Sequence, residues 1–150
     1  MRVILSLVLV LLITVPASAA VASNQDPGLI MPGQRIGPAH LGMSRAAIDA
    51  VNRTCPCRVL AVYDASGHAV RLETNWGGGC RITNKIQVGL PFGPVFRAFG
   101  NPDRMVVDTR YSHAMAVWMS YQARGIAFRV LGWPSGTIIQ AIAVFPGIAY

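Results

Sequence analysis

The sequence has one lysine, Lys85, and one glutamate, Glu73. Arginine supplies the rest of its thirteen basic residues, against six acidic ones, for a formal net charge of +7 at pH 7. The shortage of carboxylates narrows the chemistry. Asp26, Asp49, Asp64, Glu73, Asp103 and Asp108 are dispersed, and nothing in their spacing places two in one cleft, as a glycosidase requires. There is no Gly-x-Ser-x-Gly elbow and no His-Glu-x-x-His helix. His40, His68 and His113 fall singly in loops or at strand ends. No Lys-Ser/Thr pair follows Gly77-Gly78-Gly79, so those glycines read as a hairpin turn and not as a phosphate cradle. A basic run and any nucleic-acid motif are also missing, which argues against a nucleic-acid partner. The net positive charge raises affinity for an anionic partner, an acidic protein or an anionic envelope component at a membrane surface, while the scatter of the arginines favours an ordinary solvated surface.

Long apolar runs are absent after the first fifteen residues. Met1-Arg2 gives a positive start, and Val3–Val15 is apolar except for Ser6 and Thr14. A bilayer-spanning helix takes about 20 apolar residues, so this run is short for a span and fits a signal peptide. Pro16 and the small-residue site Ala17-Ser18-Ala19 complete the pattern, with Ala20-Val21-Ala22 as a second site. No Cys follows either site, which argues against a lipid-anchored start. Residues 1–19 are therefore expected to be cleaved and the mature chain to be secreted or periplasmic. What remains, about 130 residues, is enough for one domain with one core.

Paired Cys-x-x-Cys spacing is missing as well, although three cysteines are present, Cys55, Cys57 and Cys80. An oxidising compartment favours a disulfide, and an odd count leaves one thiol over. Cys55-Pro56-Cys57 is too tight for a bridge between its own members. If the strands on either side of Asp64–Gly67 and Gly77–Gly79 form a meander, Cys57 and Cys80 lie two strands apart, about 9–10 Å. That exceeds the span of about 7 Å a disulfide allows between Cα atoms. The expectation is Cys55–Cys80, with Cys57 free and no metal or cofactor. The competing reading is a thiol- or metal-dependent envelope enzyme or carrier using Cys55, Cys57 and Cys80, with His68 or His113 as base.

Residues 20–35 read as a flexible linker, rich in turn formers and without an apolar period. Ser44 is a natural N-cap for a helix over Arg45–Val51, whose Ala47, Ile48 and Val51 share a face. Strand-like runs follow over Arg58–Tyr63, His68–Asn75 and Cys80–Ile86. The plan then restarts. Val95, Phe96 and Phe99 make a second helical face, ended by Gly100 and Pro102. Runs over Ala114–Tyr121, Arg124–Leu131 and Thr137–Phe145 come next. The fold class expected is α+β: residues 36–150 as one domain of two diverged repeats, 36–86 and 87–150, each a helix plus a three-stranded antiparallel sheet.

Gly42-Met43-Ser44 with Ile48 and Val51, and Phe99-Gly100-Asn101-Pro102, resemble the helix opening and helix ending of a small α+β module of the bacterial envelope. That module occurs singly in the accessory lipoprotein of the outer-membrane β-barrel assembly machine and in tandem in the β-lactamase inhibitor protein. In this chain the two signatures sit in different repeats. The resemblance implies a protein that binds other proteins and performs no chemistry.

Strand alternation locates the expected binding face. Met115, Val117, Met119 and Tyr121 share one side, as do Ile126, Phe128 and Val130, and these should pack under the second helix. Trp118 and Arg129 then project from a face of small residues. In the first repeat Leu60, Val62, Val70 and Leu72 should point inward, and Tyr63, Arg71 and Glu73 outward. Trp118, Arg129, Tyr63 and Arg71 are accordingly the expected partner contacts, the composition of a binding hot spot. The function expected is that of an exported, non-enzymatic protein-binding module.

Overall fold

The computed structural model describes residues 26–110, 115–132 and 137–148. The expected signal peptide, residues 1–19, lies outside them, as do residues 20–25. Residues 26–35 are not a flexible linker. β1 (Ile30–Met31) pairs with β2 (Arg35–Ile36), and β2 pairs with β3 (Ala39–His40). Ile30 and Ile36 are buried, and the Arg35 guanidinium donates to the Gly37 carbonyl at 2.8 Å. The tight turns return Ile30 and Ile36 to facing positions, an order that no linear apolar period reveals.

α1 (Arg45–Asn52) begins at Ser44, whose Oγ accepts the Ala47 N–H at 3.4 Å. Ile48 is buried on its inner face and Val51 packs beside it. Then come β4 (Val59–Tyr63), β5 (Ala69–Thr74), β6 (Arg81–Thr83), β7 (Ile86–Gln87), α2 (Gly93–Phe99), β8 (Arg104–Val107), β9 (Ala116–Tyr121), β10 (Ile126–Leu131) and β11 (Ile138–Val144). Gly100 ends α2 with φ 76° and donates its N–H to the Phe96 carbonyl at 2.9 Å, where only glycine is unstrained.

The segments are close to those expected, but their assembly is not a pair of helix-plus-sheet repeats. The molecule is mostly β. Six strands form one antiparallel sheet in the order β4-β5-β11-β10-β9-β8. Two differences from the repeat plan explain this. β5 pairs directly with β11, Leu72 opposite Val144, which fuses the halves. The run after Gly79 leaves that sheet and closes as a hairpin of β6 and β7. Arg104–Val107, expected only as connection, becomes the edge strand β8.

That departure also corrects the disulfide. Cys57 and Cys80 are bonded, with Cα atoms 5.5 Å apart, and Cys55 is the free thiol. The sheet-spacing argument fails because Cys80 occupies no strand beside β5. It lies at the start of the β6–β7 hairpin, held near the N-terminal segment by the Arg81 N–H to Gly28 carbonyl bond of 2.8 Å. The disulfide fits an oxidising compartment.

The core lies between the six-stranded sheet and the two helices. Phe92, Phe96, Phe99, Tyr121 and Phe128 form an aromatic cluster with ring centroids from 4.8 to 6.0 Å apart. Val117, Met119, Tyr121, Ile126, Phe128 and Val130 face it, as their alternation requires, but Met115, expected with them, precedes β9 and is exposed. The first strand pair departs from expectation. Register sets Ala61 opposite Leu72 and Val59 opposite Thr74, so Val59, Ala61 and Leu72 point inward. Leu60 and Val62 face outward and are exposed, while Val70 is the extra residue of a bulge. The expected phase assumed that all four aliphatic residues shared one face. Pairing puts Leu60 and Val62 on the opposite side from Leu72.

Candidate functional site: the outer face of the sheet

Away from the helices, the sheet carries a row of small residues at its centre. Ala127 pairs with Ala143 and Arg129 with Ala141, while Ala127 also faces Ser120. With no bulk beneath them, long side chains can lie flat across the strands. Register puts Arg129 opposite Trp118, and the guanidinium carbon sits 5.4 Å from the indole ring centroid. Arg71, from β5, stacks on the same ring at 4.6 Å. Such cation–π contacts hold an indole in a defined orientation.

Two carboxylates complete the network. Asp108, just past β8, receives the Trp118 Nε1–H at 3.1 Å and paired bonds from Arg110 at 2.8 and 2.7 Å. Arg129 Nη1 lies 3.6 Å from the same carboxylate and 3.8 Å from that of Glu73. Glu73 also pairs with Arg71 at 3.4 Å. The Arg110 hydrogen bonds hold the Asp108 carboxyl well below the usual carboxylate range, overriding the opposing effect of its burial. The network joins β5, β9 and β10 to Asp108 and Arg110 beyond β8 through ion pairs and charge-assisted hydrogen bonds.

Beside Trp118 the face opens into a concavity of about 370 Å³, lined by Arg71, Arg104, Val106, Ser120 and Phe145 among others. Of the four expected partner contacts, Trp118 and Arg71 line it. Arg129 shares their face but is only 4% exposed, buried by the network it anchors. Tyr63 is on the other side. It pairs with Ala69, packs on the core and carries the Arg45 guanidinium 4.5 Å over its ring. Alternation along β4 runs unbroken with Leu60 and Val62 outward, so Tyr63 falls inward with Val59 and Ala61, the opposite phase from the one expected.

Sequence reasoning missed Asp108 and Arg104. Asp108 reads as one scattered acid, and its link to Trp118 exists only because β8 pairs with β9. The one local signal is the Asp108-x-Arg110 spacing at the end of an apolar run.

The thiol site is a separate matter. Cys55 Sγ accepts the Cys57 N–H at 3.2 Å and lies 3.8 Å from the Pro27 carbonyl. Burial pushes its thiol pKa up, partly opposed by that N–H, so the nucleophilic thiolate is disfavoured. His68, expected as one possible base, is instead 3.0 Å from Ser66 Oγ in the Asp64 turn. His113 lies outside the described residues. Among the described residues no group of three or more potential metal ligands occurs. No family model matches this chain, and no curated protein or solved structure matches it.

Proposed function

We propose that this protein is an exported, non-enzymatic protein-binding module that works in the periplasm or outside the cell, engaging its partner through the outer face of the six-stranded sheet. The observation that carries this reading is the Arg71–Trp118 stack, set at the rim of a concavity with Arg104. An aromatic residue and arginines clustered over small neighbours have hot-spot composition. Because the stack is already fixed by Asp108 and Glu73, little side-chain entropy remains to be lost on binding. The disulfide supports an oxidising location. The resemblance of Gly42-Met43-Ser44 and Phe99-Gly100-Asn101-Pro102 to an envelope binding module points the same way.

The test is capture from an envelope extract on the immobilised mature domain, with wild type compared against Arg104→Glu. Arg104 is exposed, so its variant should melt within about 2 °C of wild type, as surface substitutions do. It should lose the captured protein. Equal capture by both proteins would overturn the outer-face reading.

A further inference from the structure

The six-stranded sheet has two edges, and they are finished differently. At the β4 edge the Asn52 carboxamide acts as a short strand mimic. Its Oδ1 accepts the Val59 N–H at 2.9 Å and its Nδ2 donates to the Val59 carbonyl at 2.8 Å. The bulge at Val70 of β5, opposite Val62 and Tyr63, then twists the far end of that strand pair. Both are devices that keep further strands from adding.

The β8 edge has neither device. Its register with β9 runs without a shift from Arg104↔Ser120 to Val107↔Val117. It contains no proline and no lysine, and all of its residues are exposed, Val107 by 58%. The hydrogen-bond phase fixes which groups are free. The Asp108 N–H donates to the Ala116 carbonyl at 2.8 Å, so residues 104, 106 and 108 turn their main-chain groups toward β9. Met105 and Val107 therefore turn their N–H and C=O groups to the open side.

Arginines flank that edge, the one beyond its end paired with Asp108. Arg104 stands at its start and Arg110, with a side chain 68% exposed, just beyond its end. Arg104 and Val106 share the outer face and line the concavity beside Trp118. A strand laid along β8 would place its own outward residues beside Arg104, Val106 and Arg110. Acidic residues at the ends with an apolar residue between match that order. A second copy of this chain matches poorly, because it brings the same excess of thirteen basic over six acidic residues.

We propose that the β8 edge accepts an extended, acidic segment of a partner protein as a seventh strand of the sheet. The proposal rests on the protein-binding reading and adds the mode and the partner chemistry: main-chain bonds to Met105 and Val107 supply affinity, and the arginines select acidic flanks.

The probe is a synthetic peptide of alternating valine with glutamate ends, tested against a lysine-ended version and a version N-methylated on the edge that would face β8. With the mature domain, the glutamate peptide should slow amide exchange at Met105 and Val107 by tenfold or more. The lysine and N-methylated peptides should not. Met105→Pro removes an outward N–H while leaving the β9 ladder intact, since an edge strand tolerates proline there. It should weaken the glutamate peptide about fivefold to tenfold. Val107→Pro serves if that variant melts early. Failure of the glutamate peptide to bind at millimolar concentration, equal binding of the N-methylated peptide, or protection of residues other than 105 and 107 would overturn the edge proposal. So would slow exchange at both amides in the free domain, or a concentration-dependent dimer protecting them. In the envelope capture experiment, a partner lost with Arg104→Glu but kept with Met105→Pro refutes the edge and spares the outer face. No capture by wild type refutes the binding reading itself.

Discussion

Asp108 is a short side chain that joins strands distant in sequence, since Trp118, Arg110 and Arg129 all converge on its carboxylate. Asp108→Ala removes the acceptor from a nearly buried network. It should destabilise the domain by about 3 kcal/mol, the lower end for breaking a buried charge pair, read from urea unfolding at pH 7. The pH dependence has a definite sign. A depressed carboxyl pKa contributes stability above the unfolded value near 3.9, and the contribution is lost as pH falls toward the depressed folded value. Wild type should therefore lose stability below about pH 4 more steeply than Asp108→Asn, measured by thermal melts between pH 5 and pH 2. Parallel curves would show that Asp108 is not the group responsible. Cys55 shows the opposite direction, its thiol pKa raised by burial. One thiol per chain should react with iodoacetamide, more slowly at pH 7 than an unhindered cysteine and faster as pH rises. Peptide mapping should recover Cys57–Cys80 intact, and recovery of Cys55–Cys80 would reverse the assignment.

Local segments were legible from the chain because their signals are local. Ser44 caps α1, Gly100 ends α2, and β9 and β10 bury the set their alternation implies except Met115, which precedes β9 and is exposed. Pairing was not legible, because nothing in β5 encodes that its neighbour is β11 and not the next strand in sequence. The exit of the chain at Gly77–Gly79 and the bulge at Val70 then changed which side chains share a face. The same limit applied to the site. Trp118 and Arg71 were identifiable as an aromatic and a cation on outward phases, whereas Asp108 and Arg104 needed the β8–β9 register. A paired substitution tests that register. Leu72 is fully buried opposite Ala61, and Leu60 is 50% exposed on the other face. Leu72→Ala should cost about 3 kcal/mol, as a buried leucine does. Leu60→Ala should cost less than about 0.5 kcal/mol. Equal losses for both, measured by denaturant unfolding at constant slope, would restore the arrangement in which both point inward.

The molecule as a whole is joined across its length by two kinds of link. β5–β11 pairing draws the N-terminal strands into the C-terminal sheet, and Cys57–Cys80 ties the β6–β7 hairpin to the start of β4. The second link depends on where the chain folds. A signal peptide over residues 1–19 would deliver it unfolded to an oxidising compartment, where the bond can form. Closing a loop with a sequence separation of 23 contributes about 3 kcal/mol, largely by restricting the unfolded chain. For a domain of this size that corresponds to roughly 10 °C in Tm. The mature protein should therefore melt about 10 °C lower in reductant, and a Cys57→Ser/Cys80→Ser variant should match the reduced wild type. Melting unchanged by reductant would show that the hairpin is held by packing alone. Sequencing the N-terminus of the exported protein tests the delivery step independently: Ala20 or Ser23 is expected, and a retained Met1 would overturn it.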